Sequence, residues 1–290
     1  MPILTLKDLE ELTPAFSGKV GHSVGRALMR MLNVDALNAL YDRQADKQGP
    51  DFTDGLLRDQ SINYSIGGWQ TLDKLPEGAF ITVSNHPYGG LDGIMLIDLI
   101  GHLRPDYKVM VNKILSYIKA LDPNFITVIP TGKTRTAPKA ESLHGVRIAL
   151  SQLHDGSPVG FFPSGAVSDL KPRERCIRDR EWQPSVLRLI RKARVPIIPI
   201  RFFDRNSDFY YALGLINWQI RVLRLPSELL NKSGHHARIG VGDIITPEMQ
   251  DSCTSIEDFG KMLRDSVYGM PLPEEMISRE EFFRQRNITL

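Results

Sequence analysis

Between residues 79 and 202 the sequence alternates short apolar runs with segments whose apolar residues recur at helical spacing. Runs of the first kind are typical of buried strands, and segments of the second kind are typical of helices. We place strands at 79–84, 107–111, 125–129, 158–162 and 197–202, and helices at 91–103, 113–120, 139–154 and 184–194. Because nearly continuous apolar strands that alternate with helices are typical of parallel sheets, this order predicts an α/β fold. We expect a mostly parallel sheet covered by helices on both faces.

The residues before this alternation are less regular. Residues 1–50 are predicted to form an N-terminal helical segment, because apolar residues between His22 and Ala45 keep helical spacing. Residues 49–77 break into Gly, Pro and Asp, and we interpret them as a connection with one possible strand at 62–66.

The residues after the alternation predict one more helix. Thr254 and Glu257 have the spacing of a capping box, which would begin a helix that extends to about Val267. The tail after Pro271 shows no clear pattern. The predicted organisation is an N-terminal segment at 1–50, an α/β core at 51–250, and a C-terminal helix and tail at 251–290.

A polar loop follows the strand at 79–84 and contains His86 and Asp92, six residues apart. On a continuous helix the two side chains would point about 120° apart, so they meet only if the backbone turns between them. Gly89 and Gly90 permit such a turn, because glycine accepts a positive φ. A carboxylate on one imidazole nitrogen leaves the other nitrogen free as a base. The alternative is an ordinary helix start in which Asp92 interacts with the helix dipole.

A second loop follows the strand at 158–162, so we expect it at the same sheet edge as His86. It contains Pro163, Ser164, Gly165 and Ala166, whose small side chains let a ligand approach the backbone N–H groups. Taken alone, such a loop is also compatible with a simple turn.

Charge is distributed unevenly along the chain. The whole chain has a net charge of only +2, whereas Lys171 to Arg205 contains eleven basic and four acidic residues. This stretch suits a surface that faces phosphates, anionic lipid or an acidic carrier protein, and no nucleic acid is expected as a partner. A solvated, salt-bridged surface is the alternative.

Cysteine use and hydropathy favour a cytoplasmic setting. Cys176 and Cys253 are the only cysteines, and the sequence has neither a C-x-x-C motif nor a histidine cluster at metal-ligand spacing. We therefore expect no disulfide framework and no metal site. The first residues lack the basic and apolar regions of a signal peptide, and we find no stretch of 18 uncharged apolar residues.

Three motifs occur in order: Asn-His-Pro followed by Asp92, then Phe-Pro-x-Gly-x-x-Ser from Phe162, then Val-Pro-Ile-Ile-Pro from Val195. Together they resemble the glycerolipid acyltransferases of the lysophosphatidic acid type, and most closely the hemolysin-like branch that includes ornithine- and glycine-lipid O-acyltransferases. The resemblance implies transfer of an acyl chain from a thioester, on acyl carrier protein or coenzyme A, to a lipid hydroxyl. It implies no metal or other cofactor, and a peripheral position on the inner face of the cytoplasmic membrane.

The resemblance also assigns roles to individual residues. His86 would be the general base and Asp92 its orienting partner. From the placement of the 164–166 loop, and not from the resemblance, we also expect its backbone N–H groups to stabilise the oxyanion. The expected substrate-binding residues are Asn85, Gly89, Gly90, Lys113, Arg135, Phe162, Pro163, Ser164, Gly165 and Ala166.

Departures from the family pattern bear on the acceptor. Five residues separate the motif's His and Asp, where the family usually has four. Ser164, Ala166 and Val167 replace the family's Glu, Thr and Arg, which help to hold a glycerol phosphate. Phe125-Ile126 also lacks its following Arg, although Arg135 lies nearby. We therefore expect a lyso-lipid with an amino-acid head group, of the ornithine or glycine type, in place of lysophosphatidic acid.

Other functions stay open on the sequence alone. A lysophosphatidic acid acyltransferase, an acyl-thioester hydrolase and a non-catalytic membrane-binding protein are the alternatives. Residues 209–226, taken as a helix, have Asn217, Arg221 and Arg224 in one stripe and apolar residues around most of the circumference. Such a segment is either a buried helix or one that lies in a membrane surface.

Overall fold

A computed structural model describes residues 17–31, 33–128 and 140–290. The strands are β1 (Asn63–Gly67), β2 (Ile81–Ser84), β3 (Lys108–Asn112), β4 (Phe125–Val128), β5 (Val159–Phe161), β6 (Asp169–Lys171), β7 (Cys176–Arg178), β8 (Ile197–Phe202), β9 (His236–Val241) and β10 (Ile277–Ser278).

The α-helices are α1 (Gly18–Met31), α2 (Val34–Asp42), α3 (Gly49–Asp59), α4 (Gly90–Gly101), α5 (Ala140–His154), α6 (Pro184–Ala193), α7 (Asp208–Ile216), α8 (Trp218–Leu223), α9 (Leu225–Leu230), α10 (Pro247–Asp251), α11 (Ile256–Tyr268) and α12 (Arg279–Arg284). Short 3-10 helices occupy Trp69–Lys74, Lys113–Tyr117 and Lys119–Asn124, so the single helix predicted at 113–120 is two 3-10 segments.

The described residues form one eight-stranded sheet in the order β10, β1, β9, β8, β2, β5, β3, β4, beside a β6–β7 hairpin. All strand pairs from β8 to β4 are parallel, as is the β1–β9 pair, whereas β8–β9 and β1–β10 are antiparallel. The predicted mostly parallel sheet is therefore confirmed. Because β2 lies between β5 and β8, the carboxyl ends of these three strands meet at one edge.

Helices cover both faces of this sheet, as predicted. Neighbouring residues of β8 show this, because Ile198 packs into a core with α3 and α4, whereas Ile197 packs into a second core with α5, α6 and α11. Every residue of β2 is fully buried, which a central strand covered on both faces requires.

Residues 17–31 and 33–77 differ from the sequence prediction at one helix, and residues 1–16 of the predicted N-terminal segment lie outside the described residues. The connection predicted at 49–77 was wrong at its start, because residues 49–59 form α3, which has Pro50 in its first turn and buries Phe52 and Leu57. A Gly-Pro pair begins this helix, since proline is compatible with the first turn, where N–H groups lack helical partners. The strand predicted at 62–66 is confirmed as β1, one residue further along.

The C-terminal residues pack into the same two cores as the rest of the chain. Ser255 and Asp258 form the capping box of α11, one residue after the predicted pair. The tail is ordered, because β10 pairs with β1 and Arg279 of α12 is buried against Asp98 and Asp54. Asp98 lies on α4, so the tail contacts the helix that begins at the candidate site.

Candidate active site

The loop between β2 and α4 brings His86 and Asp92 together. The Nδ1 atom of His86 lies 2.9 Å from Oδ2 of Asp92, and the Asp92 side chain is fully buried while that of His86 is 18% exposed. The ring N–H is not well aligned with the carboxylate, so the contact is at ion-pair distance without a well-formed hydrogen bond. Such contacts often tighten only when substrate binds. The turn at Gly89 allows this meeting, since its φ is +81°.

Asp92 also stabilises the start of α4, as the third helical residue after the N-cap Gly89. Its Oδ2 atom accepts the backbone N–H groups of Tyr88 and Gly89, each at 2.9 Å. Burial raises the pKa of Asp92 to about 6, although the contact with His86 and these backbone hydrogen bonds oppose that shift. The carboxylate is therefore held in place by its own helix start while it faces the imidazole.

Two further contacts fix the histidine. The Phe162 ring stacks on the imidazole, with centroids 4.0 Å apart, so this predicted substrate-binding residue also positions His86. The backbone carbonyl of His86 accepts the N–H of Ser168 at 2.9 Å, which joins the two loops directly.

Asp179 is a positioning residue that the sequence prediction missed. Its buried carboxylate accepts the backbone N–H of His86 at 3.1 Å, the hydroxyl of Ser168 at 2.6 Å and the indole N–H of Trp182 at 3.2 Å. In the sequence, Asp179 lies between Arg178 and Arg180 within the basic stretch, and its position there did not indicate a contact with His86.

Asn85 holds the loop against the neighbouring strand. Its side-chain amide donates to the Phe202 carbonyl and accepts the Phe202 N–H, both at 2.8 Å. Because this pair of hydrogen bonds engages both ends of the amide, the structure gives Asn85 a positioning role at a site predicted to bind substrate.

The 164–166 loop offers fewer free donors than expected. The Gly165 N–H donates to the Phe162 carbonyl at 2.9 Å, which removes it from the predicted oxyanion site. The Ala166 N–H lies 3.4 Å from the Ser164 hydroxyl, a weak contact that a ligand could replace. Pro163 is buried, and its carbonyl accepts the Gln183 N–H.

Gly89 and Gly90 differ in their surroundings. A Cβ atom at Gly89 would lie 2.8 Å from Leu225 and 3.1 Å from Val167, whereas one at Gly90 would meet nothing within 4 Å. Gly90 is exposed at the start of α4, so open space adjoins the helix N-terminus there.

The two predicted basic residues have different outcomes. Lys113 is exposed and follows β3, at the same sheet edge as His86. Arg135 lies outside the described residues. In the described part of the chain, no three His, Cys, Asp or Glu side chains form a group that could hold a metal ion.

Residues 208–223 carry a surface of exposed apolar side chains. The chain bends at Asn217 between α7 and α8, so the single helix predicted over 209–226 is broken. Arg221 points inward and is 2% exposed. The outer side chains, 41 to 80% exposed, form what we call the apolar surface: Phe209, Leu215, Ile216, Trp218, Ile220, Val222 and Leu223. None of the described helices is long and apolar enough to span a bilayer.

A buried acid beside a histidine, at the start of a helix that follows a central parallel strand, is the arrangement that the first sequence motif predicts. The chain matches the sequence profile of the family described as Acyltransferase over residues 7–271, and it belongs to that family. The protein is therefore an acyltransferase, which confirms the predicted class.

Two curated relatives are lyso-glycine lipid O-acyltransferases. The one from Bacteroides thetaiotaomicron is 27% identical over 250 residues, which cover 83% of this chain and 87% of the relative. The one from Phocaeicola vulgatus is 27% identical over 277 residues, which cover 91% of this chain and 94% of the relative. The chain is also similar to the crystal structure of the 1-acyl-sn-glycerophosphate acyltransferase PlsC from Thermotoga maritima. That match has a TM-score of 0.48 and 14% identity, over 75% of this chain and 74% of the other.

Proposed function

We propose that this acyltransferase moves a fatty acyl chain from a thioester, on acyl carrier protein or coenzyme A, to the hydroxyl of a lyso-lipid of the N-acyl amino acid type. The contact between His86 and the buried Asp92 carries the proposal. The names of both curated relatives support a lyso-lipid acceptor. Since glycine itself has no hydroxyl, an O-acylated glycine lipid must carry that hydroxyl on its fatty acyl chain.

His86 is the proposed general base. Because Nδ1 faces Asp92, Nε2 is the nitrogen that takes the proton from the acceptor hydroxyl. The hydroxyl oxygen forms the new ester bond at the thioester carbonyl, the C–S bond breaks, and the imidazolium returns its proton to the thiolate. This route needs neither a covalent enzyme intermediate nor a cofactor, and Asp92 stabilises the transient imidazolium.

The second motif supports an acceptor without a phosphate. The Ser164 hydroxyl donates to the Ala166 carbonyl at 2.7 Å, within its own loop. Val167 is buried against Tyr210 and Tyr211. Two positions at which the family pattern has charged groups for a glycerol phosphate are therefore neutral and internally engaged.

The apolar surface supports peripheral attachment to the inner face of the cytoplasmic membrane. Its apolar side chains face outward, whereas the charged side chain of Arg221 is buried. A helix on a water-exposed surface has the opposite arrangement, with apolar side chains inside and charged ones outside. Helix α7 packs on β6, so the hairpin with exposed Arg173 and Arg175 lies beside this surface. Apolar side chains next to basic ones suit a bilayer that contains anionic lipid.

A panel of acceptors tests the proposal. The acyl donor carries its label on the fatty acyl chain, as a thioester of acyl carrier protein or of coenzyme A. The acceptor is N-(hydroxyacyl)glycine, its ornithine counterpart, or lysophosphatidic acid. We expect ester product on the N-acyl amino acids. Product on lysophosphatidic acid alone would contradict the acceptor class, and label released as free fatty acid in every reaction would indicate a hydrolase.

A further inference from the structure

A polar cavity of about 210 Å³ lies between the β6–β7 hairpin and helices α7 and α8. Its polar and charged lining comes from two separate parts of the chain that pack against each other. These residues are Asp169, Lys171, Arg180, Tyr211 and Arg221.

Arg221 lines this cavity and has one side-chain donor without a partner among the described residues. Its guanidinium contacts the Asp169 carboxylate at 2.7 Å and the Ser168 carbonyl at 3.0 Å, yet its buried Nε has no hydrogen-bond partner among the described residues. A Cβ atom at Gly214, which also lines the cavity, would lie 3.3 Å from this Nε. A buried, unpaired donor on a cation is costly, so the Arg221 guanidinium has unused capacity to bind an anion.

The charges around the cavity favour an anion. Asp169 pairs with both Arg180, at 2.6 Å, and Arg221, while Lys171 has no ion pair within the described residues. Burial acts to raise the pKa of Asp169, but the hydrogen bond from Arg180 and the charge of Arg221 leave it below its usual value. The lining therefore contains three cationic side chains and one carboxylate, so it has an excess of positive charge.

The cavity adjoins the His86 loop on two sides. Arg221 bonds the Ser168 carbonyl, and the Ser168 N–H bonds the His86 carbonyl. The Tyr211 hydroxyl donates to the carbonyl of Pro87 at 2.6 Å. Leu215 lines the cavity and also belongs to the apolar surface. An amphipathic anion could thus place its charge in the cavity behind the His86 loop and its apolar part on that surface.

We propose that this cavity binds the carboxylate of the acceptor lipid, with Arg221 and Lys171 as its donors. The inference rests on the proposed function, because an N-acyl amino acid presents one carboxylate at its polar end. It explains how a chain without the family's phosphate-holding residues recognises an anionic head group.

The test compares two acceptors that differ only in this charge, N-(hydroxyacyl)glycine and its neutral glycinamide. The ratio of their kcat/KM values isolates the contribution of the carboxylate, since membrane attachment and the reaction itself are common to both. We expect Lys171→Gln to lower the ratio about tenfold or more. Arg188→Gln, a change at an exposed residue of α6, keeps the wild-type ratio.

Arg221→Gln is expected to lower the ratio further, but it also leaves Asp169 with a single partner and reduces stability. The Lys171 variant avoids that loss and decides the matter. An unchanged ratio in Lys171→Gln, with ester product still formed, would overturn the assignment of the cavity. If Lys171→Gln instead raised the KM for the acyl donor and left the ratio unchanged, the cavity would bind a phosphate of the donor. That result would also overturn the assignment of the cavity to the acceptor carboxylate. Failure of wild-type protein to acylate either acceptor would instead refute the proposed function.

Discussion

Asp92 accepts backbone N–H groups at the start of helix α4 and faces His86 with the same oxygen of its buried carboxylate. Asparagine can keep an oxygen at the Oδ2 position, where it still accepts the backbone N–H groups and faces Nδ1, but it has no negative charge to stabilise the imidazolium. We therefore expect Asp92→Asn to fold and to lose about 10²- to 10⁴-fold in kcat/KM. Steady-state assays and thermal unfolding of the two proteins measure both effects. Wild-type activity in a folded Asp92→Asn variant would refute the role of the pair.

At alkaline pH, we expect the Asp92→Asn variant to be more stable than the wild-type protein. The pKa of Asp92 is raised to about 6 in the folded state, so its favourable contribution is present at low pH and is lost as pH rises through that value. Burial of the ionised Asp92 side chain then destabilises the fold, and the neutral asparagine side chain avoids this burial of charge. A lower midpoint for Asp92→Asn than for wild type at pH 8 would show that the carboxylate stabilises the loop instead.

The pH dependence of catalysis follows from the same group. Because the pair acts with Asp92 ionised, kcat/KM should fall below about pH 6, as protonation removes the charge that stabilises the imidazolium. A pH profile measured under conditions where the protein stays folded checks this. Activity that stays constant down to pH 5 would contradict it.

At the scale of elements, the turn before α4 depends on a glycine that nothing larger can replace. Gly89→Ala places a Cβ 2.8 Å from Leu225, and it requires alanine to adopt a φ of +81°. We expect a loss of about 1–3 kcal/mol in unfolding free energy and a marked loss of activity. Gly90→Ala is the control for stability, because its Cβ meets open space. Equal stability of the two variants would show that the loop has room to rearrange.

The apolar surface gives α7 and α8 a testable role in membrane attachment. Ile216 is 80% exposed, and a glutamate there should lower binding to vesicles that contain anionic lipid by about tenfold or more. Met249→Glu is the matched control, since Met249 is 50% exposed on α10, away from this surface. Unchanged vesicle binding by the Ile216 variant would refute membrane attachment through the apolar surface. If the wild-type protein were a dimer and this variant a monomer, the surface would instead join two copies of the chain.

At the scale of the whole molecule, the C-terminal tail is anchored by a buried ionic cluster. Arg279 contacts Asp98 at 2.6 Å and Asp54 at 2.8 Å, and Tyr64 donates to Asp98 at 2.6 Å. Arg279→Met leaves two buried carboxylates without this partner, and we expect a loss of about 3–5 kcal/mol in denaturant unfolding. Arg284→Met, on the same helix but 78% exposed, should change stability by less than about 0.5 kcal/mol. Similar values for the two variants would contradict the anchoring role.

Local patterns predicted the parallel strands β2, β3, β4, β5 and β8 and the helices α4, α5 and α6, because each of these strands is a short apolar run bounded by turn residues. Two glycines between His86 and Asp92 permitted their meeting, and an ordinary helix start was equally compatible with that spacing. Asp179, Arg221 and Arg279 were beyond such reasoning, because their partners are distant in the sequence and only the tertiary fold brings them together. The inward turn of Arg221 also depends on the bend at Asn217, which the periodicity of residues 209–226 did not indicate.

The central claim is tested most directly by measuring acyl transfer with the wild-type protein and with His86→Ala. The donor is acyl carrier protein loaded with a labelled fatty acyl chain, and the acceptor is N-(hydroxyacyl)glycine. We predict labelled ester with wild type, and almost none with a His86→Ala variant whose unfolding midpoint matches. Ester formation at the wild-type rate by that variant would contradict the assignment of His86 as the base.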